Sequence, residues 1–483
     1  MTTYYVSSRG NASDDGLSPD RPFGTLDRIN AITLGPSDCV LLERGSVFNG
    51  QHLHVTGAGA PNRPITIGSY GNPDAPKPVI HADGTGVWHE DYRAPIGGTP
   101  HKNKGDVSSA LLLRDVPYIE IRDLEITNKR SDAESDLSDP SAMDRTGVAV
   151  IAENAGTISH VLLENLHIHD IEGNIYNKHM ANGGIYAIAH MPEDPARVET
   201  DIARFDDLTI RNCTVQRASR WGIAVGYTAY LNMIDHGHRD ADGHWDNTYD
   251  YGDGTIPDDL IARYGMTNVL IENNLVEDAG GDAITVMYCD RPLVRRNISR
   301  RAARQMTPEV YTDEPQIENR VAAAIWPWRC KNAVFEYNEA YDTLCGGAGG
   351  NGDAQAWDAD WADGTIYRYN FSRGNTGGTV MFCLQNAVHS EFCHNVAVHD
   401  LMGAIDIQNN PDAWVHDNVF ILADDCQPLR NEYAHRANGT AVIERNVFVS
   451  DTPAPRTGTD WHPEGSHVTW RDNLFINFAD QPQ

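Results

Sequence analysis

The sequence predicts an all-β solenoid, in which short strands wind into stacked coils, and two observations support this prediction. The first is a five-residue phrase that ends in asparagine and recurs at Asn165, Asn212, Asn273, Asn297, Asn338, Asn370, Asn395, Asn418, Asn446 and Asn473. Its shortest spacings are 24 residues (Asn273 to Asn297), 25 (Asn370 to Asn395) and 23 (Asn395 to Asn418). A fixed period in this range indicates one supersecondary unit that is stacked many times.

The second observation is the pattern inside each phrase, where apolar positions alternate with a period of two and helical spacing is missing. This alternation is typical of a strand. Asparagine at a bend bonds to the surrounding chain and tolerates left-handed backbone geometry. We therefore predict a parallel β-helix with these asparagines stacked at one bend: Asn165, Asn212, Asn273, Asn297, Asn338, Asn370, Asn395 and Asn418.

The N-terminal residues 1–60 are predicted to form a cap and entry strands, followed by the solenoid over residues 61–483. Thr25 is placed to N-cap a short helix with Leu26, Ile29 and Ile32 on its apolar face. Such a helix would cover the open end of the solenoid, where unpaired backbone would otherwise face solvent.

Polar insertions interrupt the repeats at about residues 128–145, 172–204, 228–265 and 300–320. Long loops inside compact repeats usually carry function, so we interpret them as walls around a site. His179, in the second insertion, is assigned to substrate binding. The histidines of the third insertion, at 236, 238 and 244, are interpreted as surface side chains, and no metal site is predicted.

The composition limits the partners and the compartment. The formal net charge is −30, from 68 acidic and 38 basic residues, which disfavours nucleic acid, anionic membranes and polyuronates as partners. The sequence has no apolar run of 18 residues and no leader-like start, so we expect no membrane partner and a cytoplasmic protein, or a secreted one if a leader was removed. The eight scattered cysteines are typical of buried free thiols.

A further set of strands lies upstream of the asparagines, and its outward residues form the candidate site. Because side chains alternate across a strand, the apolar positions are predicted to face the core and their neighbours to face outward. The outward residues are Thr285, Met287, Trp326, Trp328, Asp358, Asp360, Cys383, Gln385, Asp406 and Gln408. Coils stack about 4.8 Å apart, so the last four pairs would form one continuous patch. A slip of one residue would invert this register.

The predicted patch has the composition of a sugar site. The two tryptophans, Trp326 and Trp328, would offer flat apolar faces to pyranose C–H bonds. Polar groups that would bond sugar hydroxyls are Gln385, Asp406 and Gln408. A sugar-binding face would explain why polar residues occupy the outward positions of these strands.

The aspartates of the patch are the catalytic candidates. Aspartate is disfavoured on a β face and like charges repel, so a cluster of them indicates a function. The Cα atoms of Asp358 and Asp360 would lie roughly 6.5–7 Å apart. Their carboxyls would then be near the separation of about 5–5.5 Å that retaining glycosidases use. Asp353, at the preceding turn, would reach over the same cleft.

The chain resembles right-handed parallel β-helix carbohydrate-active enzymes in residues 4–11, 22–26 and 63–67 and in its Asn-terminated coils. This resemblance covers nearly the whole chain and implies the fold more specifically than the reaction. Within that group, residues 350–361 resemble the lacto-N-biosidase type, which uses two aspartates seven positions apart. The resemblance implies Asp353 as general acid/base and Asp360 as nucleophile.

The β-helix β-xylosidases are the neighbouring family, and they use an Asp on one coil and a Glu on the next. The corresponding next-coil positions in this chain are Cys383 and Gln385, so it lacks the glutamate of the xylosidase pattern. The predicted function is therefore hydrolysis of a neutral oligosaccharide or glycoside by a carboxylate pair, retaining and exo-acting, without a cofactor.

Two other functions stay open at this stage. A polysaccharide lyase would need a base, for which Lys178 or Arg329 could serve, and often a calcium ion. A non-catalytic carbohydrate-binding β-helix is the other alternative. A structural calcium ion in the Asp-rich third insertion also stays open, although no EF-hand pattern is present.

Overall fold

The computed structural model describes residues 1–90, 105–130, 143–174, 181–228, 252–306, 321–344, 353–430 and 439–482. The chain divides into two compact units, which we call unit one (Met1–Tyr230 and Met266–Gly280) and unit two (Leu231–Gly265 and Gly281–Gln483). Within each unit the coils carry up to three strands. We call them first, second and third strands, the first being the strand that leads into the predicted asparagine bend.

In unit one, equivalent strands of successive coils pair in parallel. The first strands are Thr3–Val6, Cys39–Glu43, Ile65–Tyr70, Ile119–Arg122, Thr157–Glu164, Arg204–Arg211 and Met266–Glu272. The second strands are Val47–Asn49, Val79–His81, Glu125–Asn128, His167–Ile171, Thr214–Ala218 and Leu275–Glu277. The third strands are Thr33–Leu34, Leu53–Gly57, Asp106–Arg114, Asp144–Ala152, Gly183–Ala189 and Trp221–Thr228. Val87–His89 adds an antiparallel strand to Asp106–Arg114.

Unit two repeats this plan with shorter strands. Its first strands are Leu293–Arg295, Val334–Glu336, Ile366–Arg368, Glu391–Cys393, Trp414–His416, Thr440–Glu444 and His467–Arg471. Its second strands are Ile298–Arg300, Glu339–Tyr341, Phe371–Arg373, Val396–Val398, Val419–Leu422, Val447–Ser450 and Leu474–Ile476. Its third strands are Ile284–Met287, Ile325–Trp328, Gln355–Asp360, Gly378–Cys383, Gly403–Gln408 and Gln427–Leu429, and a short strand covers Cys289–Asp290. The predicted parallel β-helix is confirmed.

Helices are few in the described part of the chain: Asp27–Asn30 and Asp258–Tyr264, with a 3-10 turn at Pro195–Arg197. The predicted N-terminal helix is present, with Leu26 and Ile29 buried, and Asn30 ties it to the strand Leu53–Gly57 by accepting the His54 backbone N–H (2.9 Å). The prediction that Thr25 caps this helix is wrong. The N-cap residue is Leu26, which makes no side-chain bond to the helix. Thr25 lies one residue before the N-cap position.

The asparagine ladder runs through unit two as predicted. Each ladder asparagine accepts two bonds from the preceding one; Asn395 Oδ1, for example, accepts from the Asn370 backbone N–H (2.8 Å) and Nδ2 (3.0 Å). The ladder contains Asn297, Asn338, Asn370, Asn395, Asn418, Asn446 and Asn473. Because these amides bond to one another, burying them inside the bend leaves their polar atoms satisfied.

In unit one the prediction is wrong by one position. Asn165, Asn212 and Asn273 are exposed and left-handed, with φ of 53°, 56° and 55°. The ladder position is the next residue: the Cys213 backbone N–H donates to Asn274 Oδ1 (2.9 Å). The bend therefore has two consecutive special positions, an exposed left-handed one and a buried one, and asparagine suits both.

The core of unit two contains a stack of aromatic rings with centroid separations of 4.7 to 6.2 Å, formed by Phe335, Tyr367, Phe392, Phe420, Phe448 and Phe475. The seven cysteines in the described residues are free, and five of them are buried. Among the described residues, no helix is long and apolar enough to cross a membrane.

Candidate active site

The candidate site lies on the third strands of unit two, whose register sets which side chains meet. Trp328 pairs with Asp360, Asp360 with Cys383, and Cys383 with Gln408. We call this the open column. Two residues earlier on each strand, the buried column contains Trp326, Asp358, Met381 and Asp406.

The opposite face of the strand Gln355–Asp360 anchors it in the core. Trp357 is fully buried and packs on Tyr367 with ring centroids 5.7 Å apart. The Tyr367 hydroxyl donates to the carbonyl oxygen of Asp358 (2.8 Å). Because the backbone between the two aspartates is fixed from inside, their side chains are held on the outward face.

The carboxylates of Asp358 and Asp360 lie close together. One oxygen of each and the Sγ of Cys383 all lie within 4.8 Å of one another. Asp358 is only 3% exposed, whereas Asp360 is half-buried. Burial, and then the charges of Asp360, Asp358 and Asp353, raise the pKa of the Cys383 thiol well above its ordinary value. Cys383 therefore stays a neutral thiol beside three carboxyl groups.

The backbone of Asp353 makes a tight contact with the next coil. It is half-buried and precedes Ala354, which has a left-handed φ of 63°. A Cβ on Gly377, in the next coil, would lie 1.7 Å from the Asp353 carbonyl oxygen. Glycine at 377 is thus required for the close approach of these two turns, and the charge of Asp353 acts on Cys383 in the cluster.

The two tryptophans differ, and the prediction that both face solvent is wrong for Trp326. Trp326 is 2% exposed, and its indole N–H donates to Asp282 Oδ1 (2.9 Å), which also accepts from the Ala323 backbone N–H (3.0 Å). A neighbour that bonds its polar edge holds the ring in a buried position. Trp328 is half-buried, with its ring centroid 5.9 Å from that of Tyr288.

Asp406 and Gln408 belong to a buried polar network rather than to an exposed surface. Asp406 Oδ2 accepts from Gln408 Nε2 (3.0 Å), Gln355 Nε2 (3.3 Å) and Arg430 Nη1 (3.2 Å). Burial raises the pKa of Asp406, while Arg430 and the two amides oppose the shift. Arg430 Nη1 also donates to the carbonyl of Gly377 (3.1 Å), so this network fixes the residue on which Asp353 rests.

Gln385 lies outside both columns, which corrects the predicted register of its coil. Its strand ends at Cys383, Leu384 has a left-handed φ of 68°, and Gln385 is exposed beyond the turn. In the register predicted from the sequence, Cys383 lay beside Asp358. In the structure Cys383 pairs with Asp360, a shift of two residues. His179 lies outside the described residues, as do Lys178 and the histidines of the third insertion.

The described end of the third insertion packs beside these strands. Arg329, which follows Trp328 and is 1% exposed, donates to the carbonyls of Gly254 (3.0 Å) and Trp361 (3.1 Å). The Ile256 backbone N–H donates to Asp363 Oδ2 (2.9 Å). This segment therefore lies against the carboxyl ends of the third strands.

Comparison with known proteins adds a family. No protein-family model matches the chain. It is 46% identical to a lacto-N-biosidase of Bifidobacterium longum subsp. longum, over all of this chain and 31% of that protein. It therefore spans about a third of that relative's length.

Two crystal structures match nearly the whole chain. The native GH136 lacto-N-biosidase of Eubacterium ramulus has a TM-score of 0.83 at 44% identity, covering 92% of this chain and 68% of that one. Its selenomethionine derivative gives the same score and identity, with 67% of its chain covered.

Proposed function

The chain belongs to the GH136 lacto-N-biosidase family, and from this premise we propose that it is a glycoside hydrolase that releases lacto-N-biose from the end of a neutral oligosaccharide. The observation that carries the proposal is the convergence of Asp358, Asp360 and Cys383 within 4.8 Å, with Asp353 beside them. A close group of carboxyls is what a retaining glycosidase needs, one as acid and another as nucleophile.

We assign the catalytic roles by access to solvent. Asp353 and Asp360 are half-buried and can touch a substrate, whereas Asp358 is 3% exposed. Asp360 is proposed as nucleophile and Asp353 as general acid/base. Close carboxylates repel one another when all are ionised, so such a group tends to keep one proton. Asp358 is proposed to contribute to this effect without touching substrate.

In the first step, the Asp353 carboxylic acid gives its proton to the glycosidic oxygen while the Asp360 carboxylate attacks the anomeric carbon. The leaving sugar departs with that proton and a covalent glycosyl ester remains on Asp360. Asp353, now ionised, takes a proton from water, and the resulting nucleophile attacks the same carbon and frees Asp360. Two inversions give retention of configuration. Both proton transfers use side chains, so we propose no cofactor.

Substrate contacts are proposed from the same face. Trp328 offers the accessible ring of the two tryptophans, which suits stacking on a pyranose. The wall formed by the Gly254 and Ile256 segment lies at one end of the strands, which supports exo action on a chain end. Asp406 and Gln408 are proposed to position the site through Arg430 instead of bonding sugar hydroxyls.

The test uses an aryl lacto-N-bioside with Asp353→Asn and Asp360→Asn variants. Loss of the acid/base should lower kcat by about 10²–10⁴-fold, and loss of the nucleophile by more. Azide should restore turnover to Asp353→Asn and give a glycosyl azide of retained configuration. Asp451→Asn, an exposed carboxylate of unit two, is the matched control and should keep wild-type rates.

Other outcomes would contradict the proposal. Near wild-type turnover in both variants would place the catalytic pair elsewhere. Absorbance near 235 nm from an unsaturated uronate product would identify a lyase, and binding without turnover of any glycoside would identify a binding protein.

A further inference from the structure

Three clusters of side chains in the described residues bring three metal-ligand atoms within 4.8 Å of one another. One is the Asp358, Asp360 and Cys383 group of the candidate active site. A second contains Glu391, Cys393 and His416 in unit two. The third contains Glu125, His167 and His169 in unit one, on second strands, and the catalytic proposal does not use it.

The second cluster is a poor metal site because of its thiol. Burial, and then the contact with Glu391, raise the pKa of Cys393 to about 12. Only a thiolate ligates a metal, so binding there would first have to remove a firmly held proton. The third cluster has no thiol and contains two imidazoles, which are the commonest metal ligands, so it is the better candidate.

The third cluster follows directly from strand geometry. His167 and His169 are two residues apart on the strand His167–Ile171, so both point away from the buried Ile168. Glu125 pairs in register with His167 on the neighbouring coil. Two imidazoles from one strand and a carboxylate from the next thus share one outward face.

The Glu125 carboxylate lies close to both imidazoles. His169 Nε2 lies 3.2 Å from Glu125 Oε1, and His167 Nδ1 lies 3.7 Å from Glu125 Oε2. The two rings have centroids 4.4 Å apart. A tetrahedral Zn²⁺ with ligands at about 2.0–2.2 Å separates its donor atoms by roughly 3.3–3.5 Å. The donor atoms of the three residues all lie within 4.8 Å of one another, so the cluster would contract around the ion.

Each histidine is also oriented by a partner on its other nitrogen. His169 Nδ1 lies 2.8 Å from Asp170 Oδ2, and His167 Nε2 lies 3.1 Å from Gln216 Oε1. Arg217 fixes Asp170 in turn, with Nε donating to Oδ1 (2.5 Å). Metal-bound histidines almost always have such an outer acceptor, which selects the tautomer that points the free nitrogen at the metal.

We propose that Glu125, His167 and His169 form a Zn²⁺ site that links two successive coils of unit one. Two nitrogens and one carboxylate oxygen suit zinc, with water in the fourth position. The ion would join the strands Glu125–Asn128 and His167–Ile171, which the backbone ladder already pairs, and would stabilise unit one without a part in hydrolysis.

The experiment measures zinc bound by the full chain. The protein is stripped with a chelator, dialysed, loaded with Zn²⁺ and passed through a desalting column, and bound zinc is counted by elemental analysis. Wild type should carry one equivalent more than His169→Ala or Glu125→Gln. This difference isolates the site from any zinc that the remaining histidines bind.

Three further measurements sharpen the result. Cys393→Ser and His467→Ala, the latter an exposed histidine of unit two, should keep the wild-type stoichiometry. Gln216→Leu should keep the site but weaken it by roughly 10–100-fold. Zn²⁺ should raise the Tm of wild type more than that of His169→Ala.

Equal zinc content in wild type, His169→Ala and Glu125→Gln would overturn the proposal. So would loss of the equivalent in Cys393→Ser alone, which would assign the metal to the second cluster. Because turnover is not the readout, failure here is distinguishable from failure of the proposed hydrolase activity.

Discussion

The open and buried columns of unit two each contain one tryptophan on the strand Ile325–Trp328 and one aspartate on the strand Gln355–Asp360, but they expose these side chains differently. The buried column has Trp326 at 2%, Asp358 at 3%, Met381 at 1% and Asp406 at 4% exposure. In the open column, Trp328, Asp360 and Cys383 are half-buried. Each column thus offers one tryptophan and one aspartate on the same two strands.

The difference between the columns comes from what covers them. Trp326 is bonded by Asp282, and Asp406 is bonded by Arg430 and two amides. The open column has Trp328 and Asp360 within reach of a ligand. Strand alternation decides which face a side chain occupies, but the bonds made above that face decide whether it acts on substrate or supports the site.

The largest expected difference between the two columns is between variants of Asp360 and Asp358. Asp360→Asn should lower kcat by at least about 10²–10⁴-fold because a reacting group is lost. Asp358→Asn should change kcat much less, and its main effect should be on thermal stability. Equal losses of kcat in the two variants, measured on one aryl glycoside, would show that burial does not separate their roles.

The buried column should depend on Arg430 for its stability. Arg430→Met leaves the Asp406 carboxylate buried with only its amide partners, and breaking a buried pair costs about 3–5 kcal/mol. The free energy of unfolding, from denaturant titration, should fall by that amount. Arg445→Met removes an exposed guanidinium from Asp417 and serves as control, and its free energy of unfolding should match that of wild type.

The same variant should show a distinct pH dependence. Burial raises the folded-state pKa of Asp406 above its unfolded value. Its favourable contribution is therefore complete below the unfolded pKa and is lost as pH rises through the folded pKa. Removing Arg430 should raise that pKa further, so the destabilisation of Arg430→Met should be larger at pH 7 than at pH 5. A pH-independent difference would contradict the assignment to Asp406.

The two tryptophans should give the smallest and most selective effects. Trp328→Ala should raise KM by about tenfold with little change in kcat, as expected when about 1.4 kcal/mol of stacking is lost from substrate binding. Trp326→Phe should leave KM unchanged and cost about 1–3 kcal/mol of stability, because Asp282 loses its buried donor. A rise in KM for Trp326→Phe would show that this ring contacts substrate.

The fold could be predicted from local pattern because repeat length and alternation depend on neighbouring residues only. The register could not be predicted for the bends at Asn165, Asn212 and Asn273 or for the strand that ends at Cys383. Asn273 and Asn297 look equivalent in sequence, yet one is the exposed left-handed residue and the other the buried ladder residue. Asparagine satisfies both positions for different physical reasons, so its recurrence alone does not distinguish them.

The aspartate cluster was predictable because its members are close in the chain. The buried network of Gln355, Asp406 and Arg430 beside it was not predictable. Asp406 is 51 residues from Gln355 and 24 from Arg430, and Arg430 is 53 from Gly377. No local pattern marks Gln355 or Arg430, since a single amide or guanidinium after a strand is usually a surface group. Only the pairing of successive coils brings them together.

The asparagine ladder also has a direction that bears on how the chain is made. The side-chain N–H of Asn370 donates to Asn395 Oδ1, and the side-chain N–H of Asn395 donates to Asn418 Oδ1. Every bend in this series is thus completed by the coil that follows it. A ribosome delivers the N-terminal coil first. During synthesis the newest bend therefore stays unfinished until the next Asn, 23 or 25 residues later in these two steps, has emerged. We therefore expect each bend of unit two to gain its side-chain acceptor one coil behind the growing end.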